Sequence, residues 1–158
     1  MKRNFLYLGL MVFTLGALLT ACSDDDDTPT YTKNETTISA QKWLLKDVVW
    51  TDTAEVDSSV FQDCLADDAI KFDLNHDFSF TSDSLDCSTD SLSLPYGDGA
   101  WAFNFEEDSI ALQFSDTTLH WAVDELSESA LQLSYSDSVG ESYFKKTLQF
   151  EPAVDTTE

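Results

Sequence analysis

From residue 38 onward the chain alternates between apolar and polar or small side chains. Trp101, Phe103 and Phe105 are separated by Ala102 and Asn104, and Ile110, Leu112 and Phe114 by Ala111 and Gln113. Leu119, Trp121 and Val123 repeat the pattern, as do Leu131, Leu133 and Tyr135. In the last such segment Phe144, Lys146, Leu148 and Phe150 share one face, and Tyr143, Lys145, Thr147 and Gln149 the other. A period of two sends successive side chains to opposite faces of a strand, so each segment has one dry and one wet side. With Trp43–Trp50, Ile70–Leu74 and Phe78–Thr81, about eight strands are expected.

The links between these segments are short and rich in turn formers: Asn75-His76-Asp77, Glu106-Glu107-Asp108-Ser109, Ser115-Asp116-Thr117-Thr118, Ser127-Glu128-Ser129 and Asp137-Ser138-Val139-Gly140. Such links join antiparallel neighbours, because a parallel crossover needs a dozen or more residues. Eight consecutive antiparallel strands lose their edges by closing on themselves. The expected fold is therefore all-β, an eight-stranded antiparallel up-and-down barrel, with a two-sheet β-sandwich as the alternative. Two stretches fall outside the meander. Asp52–Asp68 has room for a short helix around Val60–Leu65, and Ser82–Gly99 reads as a long loop.

The first residues read as an address. Lys2 and Arg3 precede an apolar run from Phe5 to Leu19, too short to span a bilayer and without stop-transfer charges after it, which is the pattern of a removed signal peptide. It ends Leu19-Thr20-Ala21-Cys22, which resembles the lipobox of bacterial lipoproteins; an ordinary signal peptide with an incidental cysteine is the alternative. The resemblance implies that Cys22 becomes the acylated N-terminus, with palmitate-type chains as the membrane anchor. Ser23-Asp24-Asp25-Asp26-Asp27 follows and is similar to the surface-export signal of Bacteroides-type lipoproteins. That likeness implies the outer membrane and an exposed position at the cell surface, with a plain acidic tether facing the periplasm as the alternative. The expected divisions are residues 1–21 signal peptide, 22–37 flexible acidic tether, 38–152 barrel and 153–158 tail.

Charge narrows the partners. The chain has 30 acidic residues against 8 basic ones, a formal −22, and losing Lys2 and Arg3 leaves 6 against 30, or −24. Phosphate backbones need a basic face to displace their counterions, so nucleic acid is excluded as a partner. A mutually repelling anionic coat also favours a soluble monomer.

No catalytic constellation emerges. There is no GxSxG or P-loop spacing, and His76 and His120 stand apart, one in a turn and one on a polar strand face. Asp73-Leu74-Asn75-His76-Asp77 has the alternating oxygens of a calcium loop, but Phe78 stands where that loop needs glycine, so a hairpin turn is expected. With Cys22 assigned to lipid, Cys64 and Cys87 remain, and two leftover cysteines in an oxidising compartment pair. A Cys64–Cys87 disulfide is expected, with no metal, no cofactor and no enzymatic activity.

Trp43 near the start of the first strand, Cys64-Leu65-Ala66-Asp67-Asp68 leading into Ile70-Lys71-Phe72, Asp86-Cys87, Trp101, and Trp121-Ala122-Val123-Asp124-Glu125-Leu126 before Leu131-Gln132-Leu133 together resemble the lipocalin-like domain of Bacteroides-type lipoproteins. The resemblance covers about Ile38 to Pro152 and implies a small barrel that binds rather than catalyses. Trp43, Phe72, Trp101, Phe103, Phe105, Leu112, Phe114, Trp121, Leu133, Tyr135 and Phe144 are then expected inside it, lining a cavity for a small apolar ligand or filling the core. A filled barrel would make this a structural or interaction lipoprotein that meets another envelope component through its loops. The chain departs from lipocalins proper at Gln41, where they carry glycine, and in offering only lysines in the last strand where they place an arginine. Lys146 is expected either to cap the Trp43 ring or to reach water.

Overall fold

The strands close. In the computed structural model, which describes residues 29–52, 54, 56–82, 94–139 and 142–154, the nine strands are β1 (Lys42–Thr51), β2 (Asp57–Ser59), β3 (Ala69–Phe72), β4 (Asp77–Thr81), β5 (Gly97–Phe103), β6 (Ser109–Phe114), β7 (Thr117–Leu126), β8 (Leu131–Val139) and β9 (Ser142–Pro152). From β3 to β9 each strand pairs with the next in antiparallel register, and β1 pairs with both β3 and β9. This makes a closed eight-stranded antiparallel barrel and sets the sandwich aside. The extra strand, β2, lies against the end of β1, with Thr51 opposite Asp57. The barrel belongs to a unit spanning Tyr31–Glu158.

Two bulges decide which residues point inward. Between Leu45 and Asp47 the β1–β9 register shifts, so Trp43 and Leu45 are followed on the inner face by Val48 and Trp50. A second shift follows Val123 in β7. One extra residue flips the alternation and sharpens the local twist that closure requires. Glycine serves one close approach: a Cβ on Gly99 would sit 2.3 Å from the Gln113 carbonyl oxygen and 2.7 Å from the Phe78 ring. The phenyl ring fills the space that a side chain there would take.

The lower end of the barrel holds the β3–β4, β5–β6 and β7–β8 turns and is crossed by a helix, α1 (Lys33–Ser39). The helix touches β3 and β7, four strands apart around the barrel, so it spans the opening. Ile38 is its buried residue. Residues 33–37, expected as part of a flexible tether, belong to this helix. Thr32 accepts a hydrogen bond from Glu35 N–H, the Glu35 carboxylate accepts one from Thr32 N–H, and this capping box starts the helix at Lys33. The helix expected around Val60–Leu65 is only a 3₁₀ turn, Asp63–Leu65, with Leu65 buried.

The expected interior is largely in place. Trp43, Phe72, Trp101, Leu112, Trp121 and Leu133 are buried, and Phe103, Phe114 and Tyr135 pack half-buried against them. Phe105 is the exception: it is fully exposed. β5 ends at Phe103 because Asn104 begins a turn, its side-chain oxygen accepting the Asp108 and Ser109 N–H groups, and Glu107 completes that turn at φ 58°. At the β3–β4 link Asn75 donates to Asp77, 2.7 Å away, and His76 takes φ 68°, a tight hairpin turn.

Candidate ligand site at the upper end of the barrel

The expected residues divide between the two ends. At the lower end Trp101 lies edge-on to Phe72, 5.4 Å between centroids, and to Phe103 at 5.5 Å, while its indole N–H donates to the Asp73 carbonyl. Trp43 donates to the Ile38 carbonyl. These aromatics are committed to packing and hydrogen bonding at the lower end. Leu112 and Leu133 lie in the buried cluster. Only Trp121, Tyr135 and Phe144, with Phe114 on the last residue of β6, belong to strand segments running toward the upper end.

Strands β1, β7, β8 and β9 carry the cluster at that end. Register places Trp50 of β1 opposite Lys146 of β9, and Lys146 opposite Tyr135 of β8, so the three form one row. Asp137 and Phe144 pair in the same ladder, one inward position higher. The Trp50 and Phe144 rings stack at 5.2 Å and 4°, and Trp121 stacks on Tyr135 at 5.3 Å and 12°. Between the two stacks sits the Lys146 ammonium, 5.0 Å from the Trp50 centroid and 5.5 Å from that of Tyr135. A cation over two π faces is stabilised by the ring quadrupoles, more so where water is excluded.

This corrects the expectation for Lys146 on both counts. It caps Trp50 rather than Trp43, because Trp43 lies at the far end of β1, opposite Pro152. Nor does it reach water, since its side chain is 3% exposed and its ammonium bonds Asp137 at 2.6 Å. Asp137 remains 39% exposed on the rim. The Lys146 hydrogen bond, helped by the Ser138 N–H, holds the Asp137 carboxyl below the ordinary carboxylate range. Burial, and then the Asp137 charge, push the Tyr135 hydroxyl up to about 12, so it stays protonated near neutrality.

Chemically the cluster brings together aromatic faces, a fixed cation and a rim carboxylate. Trp50, Lys146 and Asp137 were absent from the expected lining. The signal for Trp50 was its place in the first strand, hidden by the bulge that changes its parity; the signal for Lys146 was its place on the apolar face of β9.

Elsewhere, a concavity of about 560 Å³ on the outer wall is lined by Asp73, Asp77, Ser79 and Asp98 among others. Lys71 already pairs with Asp73 at 2.9 Å. Among the described residues no group of three or more His, Cys, Asp or Glu side chains is arranged to hold a metal ion. In the 3₁₀ turn, Cys64 packs half-buried against the core. Cys22, Cys87 and the acidic run after Cys22 lie outside the described residues. Neither a family model nor a curated protein matches the chain.

Proposed function

We propose that this chain is a lipid-anchored, non-enzymatic lipoprotein of the bacterial outer membrane, displayed at the cell surface, whose lipocalin-like barrel binds a small apolar ligand at its upper end. One observation carries the binding reading: Trp50, Tyr135 and Phe144 stay half-exposed at the upper end beside a buried ammonium that lies over two of their rings. Accessible aromatic faces with few polar groups are the usual make-up of a small-molecule site. The lipobox-like Leu19-Thr20-Ala21-Cys22 supports the anchor, and the acidic run after it the surface position. Cys64 and Cys87 are proposed to pair, stapling the 3₁₀ turn to the segment before β5.

The extent of the packed interior favours a second reading, an interaction protein that meets an envelope component through its loops. Mass spectrometry of small molecules co-purifying with the acylated chain separates the two. The binding reading expects a stoichiometric ligand whose removal changes Trp fluorescence. A ligand-free chain with no such change, retained on a second envelope protein, favours the interaction reading instead. The anchor is tested apart: Cys22→Ser is expected to move the protein out of the membrane fraction, and unchanged fractionation would overturn the lipidation.

A further inference from the structure

Lys146 and Trp50 place two hydrogen-bond donors among the aromatic faces of the upper end. The ammonium is buried, yet its counter-ion Asp137 keeps more than a third of its side chain in water. The Trp50 indole N–H is buried and meets no acceptor among the described residues. A buried donor without an acceptor is costly, and a buried cation depends on its partner. A single acceptor group within reach of both donors would serve the two together. A neutral oxygen would satisfy the indole but could not stand in for Asp137 as counter-ion; an anionic head does both. An organic cation would meet the Lys146 ammonium already over the rings.

We propose that the ligand is a small amphiphile with an apolar body and a single carboxylate head. The head takes the place of Asp137 on Lys146 and accepts from Trp50 Nε1, Asp137 turns to solvent, and the body lies against the stacked rings. This rests on the binding reading above and names its ligand class. The chain's −22 charge repels anions at long range, and salt screens that repulsion, so selectivity must come from short-range contact with Lys146.

The test is a titration of Trp fluorescence in the full chain at fixed ionic strength. Three probes of equal tail are used below their micelle-forming concentrations: decanoate, decan-1-ol and decyltrimethylammonium. Decanoate is expected to bind roughly tenfold to a hundredfold more tightly than the alcohol, the worth of a charge-assisted hydrogen bond. The cation is expected to bind most weakly. Lys146→Met should erase the preference for decanoate while keeping alcohol binding. Equal affinity for decanoate and decan-1-ol in the unsubstituted chain would overturn the anionic head and leave the binding reading standing, and so would tightest binding by the cation. Binding of none of the three would overturn the inference, and with no co-purified ligand the binding reading as well. If Lys146→Met does not fold, the three-probe ranking in the unsubstituted chain decides alone.

Discussion

The indole N–H of Trp43 donates to the carbonyl oxygen of Ile38 across 2.8 Å, both residues wholly buried. The bond ties the strand that opens the barrel to the helix that closes its lower end. Ile38 brings the helix its apolar anchor, and Trp43 satisfies a carbonyl that the seven-residue helix leaves without an intrahelical partner. The lower end is thus stoppered.

Trp43→Phe keeps most of the ring and removes the donor. A buried carbonyl left without its partner costs about 1–3 kcal/mol, and the lost ring volume adds to it. Urea unfolding should show a lower midpoint with unchanged slope. A midpoint equal to the unsubstituted chain's would mean the carbonyl finds another donor.

Phe103 and Phe105 separate strand from turn. Phe105→Ser is expected to change stability by less than about 0.5 kcal/mol, because the ring is fully exposed. Phe103→Ser should cost roughly 1–3 kcal/mol, less than for a fully buried phenylalanine, since Phe103 is half-buried against the Trp101 ring. Thermal unfolding of the two variants side by side checks the difference.

That contrast shows what could be read from the residues. Strand periods and short polar links sufficed for the barrel, because alternation and hairpin geometry are local. Phe105 continued the period of Trp101 and Phe103, but the Asn104 side chain competes for the backbone and ends the strand. Helix α1 was illegible: seven residues with one buried side chain carry no helical period, and the Thr32–Glu35 capping box was the only signal. The upper-end cluster depends on register across β1, β8 and β9, a non-local property. Without the bulge after Leu45, Trp50 has the wrong parity to face Lys146.

The ion pair should respond unequally to its two partners. Asp137→Ala strands the buried Lys146 ammonium and is expected to cost about 1–3 kcal/mol. Lys146→Met exchanges the buried charge for an apolar side chain of similar length, and is expected to be near neutral or stabilising. Because Lys146 holds the folded-state Asp137 pKa below its ordinary 3.8, the contribution is present above that value and lost as pH falls through the folded pKa. Unfolding midpoints between pH 2 and 6 should show a loss in the unsubstituted chain that is smaller in Asp137→Ala.

The proposed Cys64–Cys87 pairing has a measurable consequence. It would close a loop of about two dozen residues, worth about 3 kcal/mol through the unfolded state. Reduction should lower the unfolding midpoint accordingly, and non-reducing peptide mapping should recover the two cysteines in one linked fragment. Free thiols at both positions in the exported protein would overturn it.

Asp68 stands where the 3₁₀ segment enters β3, with no solvent exposure, and its carboxylate accepts from the Tyr96 hydroxyl. Burial raises its pKa above the ordinary 3.8 and the nearby Asp67 charge adds to this, outweighing the hydrogen bonds from Tyr96 and Ser82. Between the ordinary value and the raised one, the folded chain holds more protons than the unfolded chain, so stability falls as pH climbs through that window. Above that window the fold carries the cost of a desolvated charge. Asp68→Asn keeps an oxygen for Tyr96 and removes that charge, so its stability should be flatter with pH above 4 and should gain on the unsubstituted chain as pH rises. Urea midpoints from pH 4 to 7 measure both effects. A variant that loses ground on the unsubstituted chain as pH rises would show that the ionised carboxylate, through its hydrogen bonds, outweighs its own desolvation.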